Sequence, residues 1–148
     1  MTVKTHWYEA DTRFIPGHYQ PAALIDLALS RDIDSHRLLR GTGLFHEDIL
    51  AGQTRLSPQQ FLALIGNGRR LLDADDSSFL FGQRLLPGHY GAASHALRHA
   101  QNLHQALDAL VQQQALLSPL ASPRLVLDEH HAYLSLIHIS EPTRQAEI

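Results

Sequence analysis

The stretch Asn102 to Leu127, NLHQALDALVQQQALLSPLASPRLVL, decides the fold class, because the hydrophobic pattern changes inside it. Leu103, Ala106, Leu107, Leu110, Val111, Gln114 and Leu117 keep the i, i+3, i+4 spacing that turns one face of an α-helix toward a core. Asn102 is a good N-cap, and Gln105 three residues on offers the reciprocal bond of a capping box. Ser118-Pro119 then stops the helix, since proline has no N–H to donate and clashes with the preceding turn. Beyond it, Arg124-Leu125-Val126-Leu127 is a short apolar run bounded by prolines and by Asp128-Glu129, the pattern of a strand. His131-Ala132-Tyr133 begins its hairpin partner.

Toward the N-terminus the same reasoning finds helices only. Pro21 suits a first helical position, and Ala22 to Leu29 is apolar nearly all round, which predicts a buried helix. Asp34 caps a short helix through Leu38, Leu39 and Arg40 that ends at Gly41. Another turn or two runs from His46 to Leu50. Ser57-Pro58-Gln59-Gln60 is a capping box with proline at the first position, and Phe61, Leu64, Ile65, Leu71 and Leu72 keep the helical period behind it. Asp75 to Ser78 caps Phe79 to Phe81, and Pro87-Gly88 breaks the chain before a helix from Tyr90 to Ala100. The fold class is therefore α+β: a helix-rich N-terminal part of about six helices leading into an incomplete antiparallel sheet.

Composition removes several functions. A chain of 148 residues is about one domain, and 44% apolar against 18% charged residues can bury a core. No cysteine means no disulfide framework, thiolate zinc site or cysteine nucleophile. A formal net charge of −3 argues against a surface built for nucleic acid or anionic membrane. Lys4 is the sole lysine against eleven arginines, the usage of a GC-rich bacterial gene. Lys4, Glu9, Asp11 and Arg13 interrupt any signal-peptide core, and no window approaches a membrane span, which implies a cytoplasmic protein.

Residues 134–148, LSLIHISEPTRQAEI, stand apart and hold three of the eight isoleucines. Leu134 to Arg144 is similar, residue for residue, to one reading frame of the transposase adapter used to prepare sequencing libraries. On that reading 134–148 is an artefactual tail, the native sequence is known only to Tyr133, and the sheet is unfinished. The alternative is a genuine amphipathic strand, LSLIHI, closing the hairpin. Sequencing the gene through the Tyr133 codon distinguishes the two.

The candidate chemistry is sparse. His95 and His99 are four apart and share a helix face as metal-ligand pairs do, with His104 nearby. Ala96 stands where a hydrolytic zinc site has glutamate, and no cysteine completes a ligand set, so a solvated or pocket-lining histidine face is favoured and no metal or other cofactor is expected. Glu47-Asp48, Asp73-Asp75-Asp76 and Asp128-Glu129 fall at helix starts and turns, where carboxylates accept from free amides. There is no G-x-S-x-G elbow, and Gly41-Thr42-Gly43 and Gly66-Asn67-Gly68 lack the strand and lysine of a phosphate loop. Pro21 to Gly43 can be read as a helix-turn-helix exposing His36, Arg37 and Arg40, but Asp32 and Asp34 precede the second helix and weaken any phosphate contact. No enzyme is expected.

Taken in order, several segments resemble a known family. They are Leu38-Leu39-Arg40-Gly41-Thr42-Gly43-Leu44, Thr54-Arg55-Leu56-Ser57, Phe79 to Leu85, Pro87 to Gly91, Asn102 to Leu107, and Leu117 to Leu120. Together they resemble the N-terminal, arabinose-binding-like sensor domain of AraC/XylS-type transcription regulators, over about Gln20 to Tyr133. The resemblance implies an irregular lead at 1–19 and an effector-sensing and dimerising domain at 20–133. It also implies a C-terminal helix-turn-helix domain that this sequence lacks, through which alone DNA is bound. The implied partners are a small-molecule effector and a second copy of the chain, with no membrane. No motif marks the pocket; His89, Tyr90, His95 and His99, polar and aromatic groups after a Pro-Gly break, are the candidate effector contacts. The alternatives are a histidine-rich metal-binding module and a small helix-turn-helix DNA binder.

Overall fold

The computed structural model describes residues 10–85 and 87–138. Its elements are β1 (Ile15–Pro16), α1 (Gln20–Leu29), α2 (Ser35–Leu38), α3 (His46–Leu50), β2 (Arg55–Leu56), α4 (Pro58–Leu72) and α5 (Ser77–Arg84). After a 3-10 turn at Pro87–Tyr90 come α6 (Ala92–Arg98), α7 (Leu103–Gln112), α8 (Gln114–Leu117), β3 (Ala121–Leu127) and β4 (Ala132–His138). The α+β class with a helix-rich N-terminal part stands.

Three of the four expected caps form; at the fourth, Asp76 precedes α5 with no side-chain bond to a free amide. The Ser57 hydroxyl accepts from Gln60 N–H at 3.2 Å while the Gln60 amide oxygen accepts from Ser57 N–H at 3.1 Å, so α4 begins on a complete capping box. The Asp34 carboxylate accepts from His36 N–H at 2.9 Å and starts α2. The Asn102 side chain accepts from Gln105 N–H at 2.8 Å, but Gln105 reaches Gln101 N–H instead of returning to Asn102.

Other expectations are corrected. The helix read as continuous from Asn102 to Leu117 breaks at Gln113, whose backbone leaves helical geometry (φ −100°, ψ 27°), and α8 restarts after it. The helix expected from Tyr90 starts at Ala92, because Gly91 takes φ 57°, ψ −139°, a conformation only glycine adopts cheaply. The lead at 1–19 contains β1, which pairs antiparallel with β2 (Ile15 opposite Leu56, Pro16 opposite Arg55). Two-residue strands carry no periodicity, so the sequence offered no sign of them. β3 begins at Ala121, three residues before Arg124, and takes Pro123 inside the strand. β4 runs on through Leu134–His138 with Leu125 opposite Leu134. Leu134 and Leu136 remain 39% and 56% exposed, so little burial ties that segment to the rest. Residues 139–148 lie outside the described residues.

The core gathers Ile15, Leu24, Ile25, Ala28, Leu38, Leu44, Ile49, Leu56, Phe61 and Leu64, all from β1 through α4. α1 supplies most of one wall, as its all-round apolar sequence requires. Gly68 of α4 faces it: a Cβ there would sit 3.4 Å from a Leu24 methyl and 3.6 Å from a Leu38 methyl, so the missing side chain lets α4 approach α1 and α2. The C-terminal elements are anchored by Gln20, whose buried amide donates to Leu116 O at 2.9 Å. α7, despite its clear apolar stripe, buries no residue fully, and Leu103 is 73% exposed.

Candidate functional site

The best-built feature at the edge of the core is the turn Leu38-Leu39-Arg40-Gly41-Thr42-Gly43-Leu44, whose three leucines belong to that core. Gly41 and Gly43 hold φ of 77° and 71°, the left-handed region that a β-carbon disfavours. Between them Thr42 is buried; its hydroxyl donates to Leu39 O at 2.6 Å and accepts from Leu44 N–H at 3.2 Å. α4 pins the turn from outside. Gln60 donates to Thr42 O at 3.2 Å, and the Asn67 amide donates to Leu38 O and Arg40 O, both at 2.8 Å. Asn67 is 8% exposed, and its oxygen in turn accepts from Arg70. Buried backbone carbonyls need donors, and a side chain on another helix supplies them here.

Two depressions flank this turn. One, of about 780 Å³, lies between Arg40-Gly41 and the face of α4 that carries Gly66, Asn67, Arg69, Arg70 and Asp73. The other, of about 520 Å³, lies between Ser35-His36 and the start of α3, with Leu39 and Leu44 at its base. Phe45, His46, Glu47 and Asp48 also line it, and Phe45 is 70% exposed. One is basic; the other mixes an aromatic ring, imidazoles and carboxylates.

The sequence-derived candidates sit elsewhere. His89 and Tyr90 are half-buried in the 3-10 turn, and burial pushes the Tyr90 phenol above its ordinary value. His95 is exposed on α6 and His99 is exposed just past its end, its N–H donating to His95 O at 3.0 Å. None of these four lines either depression. His104 pairs across one turn with Asp108 at 3.4 Å. Among the described residues no group of three or more His, Asp or Glu is placed to hold a metal ion. The second helix of the possible helix-turn-helix, α2, has four residues and turns Ser35 and Leu38 into the core. Sequence reasoning missed Arg69, Arg70 and Asn67; the signal was an asparagine between two glycines inside a helix, a poor local choice that asks for a tertiary reason.

A helical layer packs on a pinned glycine turn, and the concave surfaces on either side of it leave room for a small ligand. The family comparison makes this specific: the model for the N-terminal arabinose-binding domain of AraC transcription regulators matches residues 33–147. The chain belongs to that family. The match spans the pinned turn, both depressions and the stretch 134–147. No curated protein and no solved structure matches the chain. Among the described residues no helix is long and apolar enough to cross a membrane.

Proposed function

We propose that this chain is the effector-sensing part of a bacterial, cytoplasmic AraC-type transcription regulator and is not itself an enzyme. Family membership over 33–147 carries the reading, and the concave surfaces beside the Leu38–Leu44 turn supply places for a small molecule. The effector binds one conformational or dimeric state better than the other, and that difference in affinity is what shifts the regulator. DNA is met by a separate C-terminal helix-turn-helix domain, and the sensor pairs with a second copy. The half-exposed apolar stripe of α7 and the exposed Val126, Leu127, Tyr133 and Leu136 of the β3–β4 hairpin favour such pairing.

The His89, Tyr90, His95 and His99 segment is a second surface for the effector, supported by the partly buried Tyr90 phenol. A thermal-shift screen of small metabolites against the full chain tests the reading, with a saturable rise in Tm for at least one compound class expected. Alanine at Tyr90 and His95 that leaves the response unchanged removes that segment. Absence of any response, together with stoichiometric metal retained after dialysis, replaces the sensor by a metal-binding module. Salt-dependent DNA binding by this chain alone replaces it by a DNA binder.

A further inference from the structure

The basic depression beside the pinned turn has features that the fold alone does not require. Ala63, Gly66, Asn67 and Arg70 fall at helical intervals on one face of α4, with Asp73 just past its end, opposite Arg40-Gly41. Gly68 is explained by its close approach to Leu24 and Leu38, but a Cβ on Gly66 would meet nothing within 4 Å. Alanine would fit there and favour the helix, so protein packing does not account for the bare backbone. It opens onto the depression. Among the described residues, Arg40, Arg69 and Arg70 have no ion-pair partner. Asp73 carries one negative charge, and the C-terminal end of α4 contributes about half a charge more. The three guanidiniums outweigh both, in a chain whose net charge is −3.

The site is also held in place. The single buried amide of Asn67 fixes the backbone at Arg40 by donating to its carbonyl and orients the Arg70 guanidinium by accepting from it. Arg70, held in this way, loses less freedom on binding, and the planar N–H pairs of all three guanidiniums match carboxylate and phosphate oxygens. We propose that this depression binds the carboxylate or phosphate group of a small acidic molecule, with Arg40, Arg69 and Arg70 as its cationic contacts and Gly66 giving it room to approach the helix backbone. The site stands on its geometry; that its ligand is the effector rests on the sensor reading.

The test is calorimetric titration of the full chain with inorganic phosphate and with citrate at constant ionic strength, the two probes separating phosphate from carboxylate recognition. Saturable binding of at least one is expected. Arg40→Gln and Arg70→Gln should each weaken it by about three- to tenfold, the range for one exposed charge-assisted hydrogen bond. Arg84→Gln, on a guanidinium that donates to Ser30 outside the depression, should change nothing. Gly66→Ala should raise the Tm of the ligand-free protein and lower its affinity for the probe. No saturable binding by either probe, or binding indifferent to Arg40 and Arg70, overturns the site. Anion binding that depends on these arginines, in a protein that shows no thermal-shift response to any other small metabolite and no change of regulator output, still supports the site and fails the sensor reading alone.

Discussion

Replacing Asn67 by alanine is the sharpest probe of why the Leu38–Leu44 turn holds its shape. The side chain is 8% exposed, and its amide is the donor to both Leu38 O and Arg40 O. Alanine removes two hydrogen bonds, each worth about 0.5–1.5 kcal/mol net, and leaves the buried Leu38 carbonyl to be desolvated without a donor, at about 1–3 kcal/mol. Arg40 O is only partly buried and recovers some of its loss from water. The expected total is about 2–4 kcal/mol, or roughly 6–15 °C in Tm for a domain of this size. Urea unfolding followed by circular dichroism should show a lower midpoint with an unchanged slope. Arg70→Gln, which removes an exposed partner of the same amide, should cost less than about 0.5 kcal/mol. Amide exchange at Thr42 and Leu44 should accelerate in the alanine variant beyond the global change. A loss below about 0.5 kcal/mol for Asn67→Ala would refute the reasoning, since water would then serve both carbonyls equally well.

Gly91→Ala should destabilise by about 2 kcal/mol or more: φ is 57°, and the added Cβ would fall 2.6 Å from the Tyr19 hydroxyl oxygen. Tyr19→Ala should recover the steric part but not the backbone strain, so a double-mutant cycle with no coupling would contradict the contact. Ser57→Ala should cost about 1 kcal/mol by thermal unfolding through loss of the α4 cap, with Ser57→Asp closer to wild type. At the hairpin turn, the N–H groups of His130 and His131 donate to the Asp128 carboxylate and hold its pKa below the ordinary carboxylate value. A depressed folded pKa means these bonds are present above the ordinary value and are lost as pH falls through the depressed one. An NMR titration of the His130 and His131 amides should therefore have its midpoint below the usual aspartate range; a midpoint at or above that range would contradict the turn geometry.

Legibility in the sequence tracked the distance over which each element is determined. The Asp34, Ser57 and Asn102 caps and the span of α3 were readable, because a cap is settled by a side chain and an amide two or three residues away. The class of the C-terminal segment was readable from the change of period after Pro119. The break at Gln113 was not. The i, i+3 pattern continues straight through it, while the end of the next piece is fastened by Gln20 from 96 positions away. The pairing of β1 with β2 brings together residues some forty positions apart in strands too short to show a pattern.

For the site, the sequence by itself determined that the short helix capped by Asp34 gives way to a turn at Gly41, a residue free to take left-handed backbone. It also determined the apolar face of α4, and through the ordered motifs it pointed to the family. Only the tertiary structure decided what stands opposite that turn. Gly66-Asn67-Gly68 has three separate roles that no local rule distinguishes: open backbone at Gly66, a donor to two distant carbonyls at Asn67, and close helix packing at Gly68. Helix propensity is a property of neighbours in sequence, whereas these roles are set by α1, α2 and the Arg40 carbonyl, which meet α4 only after the core has closed.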